Sequence, residues 1–186
     1  MQEKNSWGGT VAKQVIRLTA SEMKKAGELA KGREDVKTIP NPRSWNNEPR
    51  DIRHKYIDNN KYLPNFLGIV GEIAYARFIG GEIDESLYAT HGDDGSGDVG
   101  SVEVKVSTFM TDDVELKIPE RDYKDKMRPD KYVLCRVNRA TPSVVEIIGE
   151  VSAERFDAEK KVKQYRPDAP INYVMSGRDL DEVAFA

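Results

Sequence analysis

The sequence predicts a layered α/β (α+β) domain, with a central mixed β-sheet flanked by helices. Two observations carry this. Residues 62–79 form a long, strongly apolar segment closed by Gly80-Gly81, and beyond residue 100 the apolar pattern changes to that of strands. The resulting order of helices, hairpin, hairpin and helix is that of a sheet with helices packed on it.

The elements follow from the N-terminus. A helix is expected over 19–33: Thr19 and Ser21 offer caps, and Glu22 stands at the capping-box spacing from Thr19. Residues 36–60 read as irregular, with Pro40, Pro42, Pro49 and Asn46-Asn47, and their basic residues Arg43, Arg50, Arg53 and Lys55 fit a phosphate-contacting or a solvated loop equally. Residues 62–79 are apolar on nearly every side, so this helix should be packed on nearly every side. Its Gly68 and Gly71 would let it approach a neighbour closely. Residues 101–109 alternate as a strand. Lys131–Val137 is a near-continuous apolar run, as expected of a central strand, and Arg139–Ser143 turns the chain into another strand ending at Val151. Ser152 can cap a short helix near 153–160, and the tail around Pro167 and Pro170 reads as irregular.

At 186 residues the chain should form one domain, with a core over 62–156, an N-terminal extension over 1–60 and a C-terminal extension over 157–186. No apolar run reaches the ~20 residues of a membrane span. Met1–Asn5 lacks the basic-then-apolar order of a signal peptide. The single cysteine, Cys135, lies in an apolar run and reads as a core thiol, so a reducing cytoplasmic location is expected. A net charge of -3 argues against a nucleic-acid coat protein, though not against an enzyme whose acids hold a metal beside phosphates.

The chemistry concentrates in Asp98-Val99-Gly100-Ser101-Val102-Glu103-Val104-Lys105. Gly100-Ser101 fits a two-residue type II′ turn, which would pair Val99 with Val102 and Asp98 with Glu103. One face would then carry Asp94, Ser96, Asp98, Glu103, Lys105 and Ser107. The other would carry Val99, Val102, Val104 and Val106 toward the core. Directly opposed carboxylates repel, and a divalent cation removes that cost. Oxygen ligands without histidine or cysteine suit Mg²⁺, with Mn²⁺ as a substitute, rather than Zn²⁺. Glu72 is the one acid of the apolar helix and has no basic partner on it, so it needs a cation or hydrogen bonds from elsewhere. Against this stands the ordinary reading of Glu-x-Lys as a solvated ion-pair face. A calcium loop starting at Asp94 fits poorly, because Val99 and Lys105 occupy the positions for glycine and glutamate. His54 and His91 are too few and too far apart for a zinc site.

Gly71-Glu72, then Asp98, then Glu103-Val104-Lys105 resembles the motif of the PD-(D/E)XK nuclease superfamily, the restriction-endonuclease-like fold. The later runs Lys131–Val137 and Val145–Val151 resemble the strands that follow this motif in small members. The resemblance implies a mixed four-stranded core and a metal-dependent DNA endonuclease that hydrolyses phosphodiester bonds, with double-stranded or branched DNA as the expected partner. Asp98, Glu103 and the Val104 carbonyl would bind the metal, and Glu72 would support the metal or its water shell. Lys105 would orient or help deprotonate the attacking water and stabilise charge on the phosphate, the electrostatic role being favoured for a lysine that keeps its proton. DNA contacts would come from the stretch Arg121, Lys124, Lys126, Arg128 and Lys131, and from Lys160, Lys161, Lys163 and Arg166; both are interspersed with acids and fit a solvated face equally. A homodimer is a further expected assembly, because small nucleases that cut both strands often dimerise. The Asp-to-Glu spacing is shorter than in many members, and Gly97 rather than proline precedes Asp98. These departures motivate an alternative: a non-catalytic nucleic-acid-binding or assembly protein on the same fold.

Overall fold

The computed structural model describes residues 14–37, 63–86, 97–125 and 128–183. Among them the chain runs through β1 (Gln14–Arg17), α1 (Ala20–Lys37), α2 (Leu63–Ile79), β2 (Val102–Ser107), β3 (Glu115–Pro119), α3 (Glu120–Asp125), β4 (Lys131–Val137), β5 (Val144–Ser152), α4 (Ala153–Glu159), β6 (Lys161–Lys163) and β7 (Asn172–Ser176), with a 3₁₀ turn at Gly177–Asp179. No helix among the described residues is long and apolar enough to cross a membrane.

The fold is α+β, with a mixed sheet. Four strands lie in the order β1-β5-β4-β2, with β2 parallel to β4 and the other pairs antiparallel. Parallel neighbours need a crossover. Here β3 and α3 lie in that crossover, and β3 joins β7 and β6 in a second, antiparallel sheet. The expected central mixed sheet is present, and a three-stranded sheet accompanies it. The tail around Pro167 and Pro170 contributes β6 and β7 rather than being irregular throughout. The first helix runs 20–37 rather than 19–33. Its start is the predicted capping box: the Glu22 carboxylate accepts from the Thr19 N–H at 2.6 Å, and the Glu22 N–H donates to Thr19 Oγ1.

Two hydrophobic clusters explain why β4 is apolar almost throughout. Val133, Cys135 and Val137 point into the cluster formed with α1 and α2. Tyr132 and Leu134 point the other way, toward Leu116, Ile118, Phe156 and Met175. A strand buried on both faces loses the alternation of a half-exposed one. Cys135 is fully buried, and burial pushes its thiol up to about 12. The hairpin 131–151 and the Ser152 cap form as expected, with Ser152 Oγ accepting from the Arg155 N–H.

Helix α2 sits on β2 through Gly71. A Cβ there would lie closer than 3.0 Å to Val106 Cγ2 and within 3.6 Å of Val104 and Cys135. The glycine thus sets how near Glu72, the next residue, comes to the strand. Gly68 has no such contact; a Cβ there would meet only the Glu72 carboxylate at 3.9 Å.

Candidate active site at the free edge of β2

The turn before β2 is type II′ as its residues predict. Gly100 has φ +61°, no described non-glycine residue has positive φ, and Val99 bridges Val102. The ladder stops there. Gly97 N–H donates to the Gly100 carbonyl at 2.6 Å, and a Cβ on Gly97 would lie 2.5 Å from the Val102 carbonyl oxygen. The chain bends away at Asp98, so Asp98 and Glu103 are not a ladder pair, which corrects the extended hairpin. Asp98 reaches the strand by its side chain instead, its Oδ2 accepting from the Val104 N–H at 2.8 Å. It replaces a missing strand bond at the open side of β2. The N–H and C=O of one strand residue point to the same side, so the Val104 carbonyl also faces this free edge.

The predicted two faces of β2 are present: Val102 and Val104 are buried, and Glu103 and Lys105 alternate with them. Glu72 comes from the helix packed on the valine side, while Glu103 and Lys105 come from the other. They meet because, among the described residues, β2 is an edge strand. A cavity of about 520 Å³ extends from α2 across β2 to β3, and Glu72, Asp98, Glu103, Val104 and Lys105 all line it.

The charges in this cavity are paired, as buried charges must be. Glu72, only 7% exposed, accepts both its bonds from Arg33 Nη1 at 3.2 Å. The partner its own helix lacks comes from α1. Arg33 also donates to the Asp84 carbonyl at 2.7 Å, which ties the segment after α2 into the site. Burial, and next the Asp98 charge, raise the Glu72 carboxyl to about 7 against the pull of Arg33. Lys105 is ion-paired with Glu103, and the two are 22% and 15% exposed. Burial opposes the Lys105 charge, but Glu103 and Asp98 outweigh it and raise its pKa. Among the described residues, no three histidine, cysteine or acidic side chains stand together as a ready-made metal cage.

Four of the predicted DNA-contacting cations lie elsewhere, whereas Lys163 bonds Glu115 of the cavity wall at 2.9 Å. Arg121 and Lys124 are on α3, where Lys124 bonds Glu120 at 2.8 Å and Arg121 lies 3.7 Å from Asp122. Arg128 bonds Asp157 at 2.7 Å. Lys161 is exposed on β6. None of the four lines the cavity. Its cations are Arg33, Lys105, Lys117 and Arg139, beside the exposed ring of Phe109. Sequence reasoning missed Arg33, Lys117 and Phe109. The unpaired Glu72 was a signal that a cation had to arrive, but not from where. Arg43, Arg50, Arg53, Lys55, Lys126, His54, His91, Asp94 and Ser96 lie outside the described residues.

The chain matches no protein-family model, no curated protein and no solved structure.

Proposed function

We propose that the chain is a Mg²⁺-dependent DNA endonuclease of the PD-(D/E)XK kind, hydrolysing phosphodiester bonds with a metal-activated water. The observation that carries this reading is the shared cavity: Glu72, Asp98, Glu103, Lys105 and the Val104 edge of β2 all line it. The donor set fits the ion. Mg²⁺ is commonly held by one or two carboxylates plus its own waters, so Asp98, Glu103 and the Val104 carbonyl suffice without a third acid in contact. When bound, the ion supplies Lewis acidity and a water of lowered pKa.

The chain's own residues do the rest. Asp98 is oriented by the Val104 N–H at the wall of the cavity, where its carboxylate would serve as a ligand. Glu103, ion-paired with Lys105 here, would turn toward a bound ion to serve as its ligand, and Lys105 would then be released toward a phosphate oxygen. Paired with Glu103, Lys105 has its pKa raised and holds its proton; released beside a phosphate, it would act as a positive charge on accumulating negative charge rather than as a base. Glu72, held by Arg33, places a further carboxyl group in the same cavity, where it would support the ion's water shell.

One observation favours a second reading. Glu103 closed on Lys105 and Glu72 closed on Arg33 already balance one another pairwise, as in a purely structural ion-pair network. A non-catalytic nucleic-acid-binding domain would then bind DNA in a salt-sensitive way without cutting it, and Asp98→Ala would leave binding intact. Incubating the protein with plasmid, branched and single-stranded DNA in Mg²⁺ or Mn²⁺ separates the two. The nuclease reading expects cutting that needs the metal and is lost in Lys105→Ala. It fails if nothing is cut, or if Lys105→Ala cuts as well as the parent.

A further inference from the structure

We infer that Phe109, at the mouth of this cavity, is a stacking platform for an unpaired base, so that the substrate presents a single-stranded segment to the site. The inference rests on the nuclease reading for its substrate, but its own observations are separate. Phe109 lines the cavity and is 62% exposed, although large aromatic rings usually find cover. It does not hang on a loose loop. Its N–H donates to Ser107 Oγ at 3.2 Å, and two residues on, the Thr111 carbonyl accepts from buried Arg136 at 3.0 Å. The loop is pinned on both sides of the ring, which keeps it exposed.

The surroundings suit a nucleotide strand. Lys117 Nζ lies 5.0 Å from the Phe109 ring centre and 4.3 Å from that of Tyr165, and Lys163 lies 4.7 Å from the Tyr165 ring. Among the described residues, Glu115 is the acid paired with these lysines, bonding Lys163 at 2.9 Å and lying 4.0 Å from Lys117. Two lysines against one acid leave a net positive charge beside two rings. Alternation of aromatic faces with cations is the chemistry that binds single strands without reading their sequence, the base stacking on the ring and the phosphate meeting the cation. An intact duplex offers no free base face. Phe109 stands four positions after Lys105, so their Cα atoms are at most about 14 Å apart. That is within a few nucleotides of the bond to be cut.

The test is binding in EDTA, where no cutting occurs. The probes are a single-stranded DNA oligonucleotide carrying 2-aminopurine and a blunt duplex of the same sequence. The parent protein should quench 2-aminopurine on binding. Phe109→Ala should bind the single strand about tenfold more weakly and lose the quench, Phe109→Trp should restore both, and duplex binding should be unchanged throughout. The inference is overturned if the parent binds no single strand, if Phe109→Ala binds it as the parent does, or if single-strand and duplex binding fall together. Cleavage in Mg²⁺ is scored separately. A protein that cuts blunt duplex and ignores Phe109→Ala keeps the nuclease reading and loses the platform. One that stacks the strand and cuts nothing does the reverse.

Discussion

Replacing Gly71 by alanine tests whether α2 is seated on β2 as closely as the site requires. Alanine is the better helix former by about 1 kcal/mol, so an unhindered position would be stabilised by that amount. The structure predicts the opposite sign. The added methyl would stand closer than 3.0 Å to Val106 Cγ2, in a wall completed by Val104 and Cys135. Ordinary contact needs about 3.5–4.0 Å, so the helix must retreat by about an ångström or Val106 must turn. Overpacking of this kind costs about 1–3 kcal/mol, which leaves a net loss of about 1 kcal/mol after the propensity gain. Urea unfolding midpoints of the parent, Gly71→Ala, Val106→Ala and the double variant measure it. Removing the opposing methyls should rescue the alanine, with a coupling of at least about 1 kcal/mol. Because Glu72 moves with the helix, cleavage by Gly71→Ala should fall by up to about a hundredfold. A gain in stability by Gly71→Ala, additive with Val106→Ala, would refute the close seating.

Other expectations concern the charges. In EDTA, Glu72 titrates near 7 in the folded chain against 4.5 unfolded, so the stability it contributes is fully present below pH 4.5 and drains away as the pH rises through 7. The effect is about 3 kcal/mol, and Glu72→Gln should flatten that part of a stability profile taken from pH 5 to 8. Arg33→Ala should cost about 3 kcal/mol at pH 8, where Glu72 is charged, and clearly less at pH 5.5; an equal cost at both would break the link between the two residues. Mg²⁺ at a hundred times its Kd should stabilise the parent by about 2.7 kcal/mol, read as a rise of roughly 5–10 °C in melting temperature, and Asp98→Asn should abolish the rise.

Elements whose partners are near in sequence were legible before any coordinates. The β4–β5 hairpin, the Ser152 cap and the Gly100 turn each depend on residues within a few positions of one another. Helix α2 announced itself by an apolar face on every side. β3, β6 and β7 did not: the β3 partner is remote, Leu116 pairing with Met175 across nearly sixty residues, and β6 is three exposed residues with no apolar pattern. The same distinction divides the site. Glu103 and Lys105 share a face through strand alternation, which is local. Asp98 was placed in the site for a reason that needed correction, since it arrives through a side-chain bond to Val104 rather than by ladder pairing. Arg33 lies thirty-nine positions from Glu72, and only the packing of α1 on α2 joins them. The exposure of Phe109 likewise depends on Arg136 holding the loop from another strand.

The proposal that these groups serve a metal is most directly tested by crystals soaked in Mn²⁺ and an anomalous difference map. The account predicts a peak bounded by Asp98, Glu103 and the Val104 carbonyl, with Glu103 swung away from Lys105. No peak there, with Glu103 still closed on Lys105 at saturating Mn²⁺, would contradict it and leave the cavity to a structural ion-pair network.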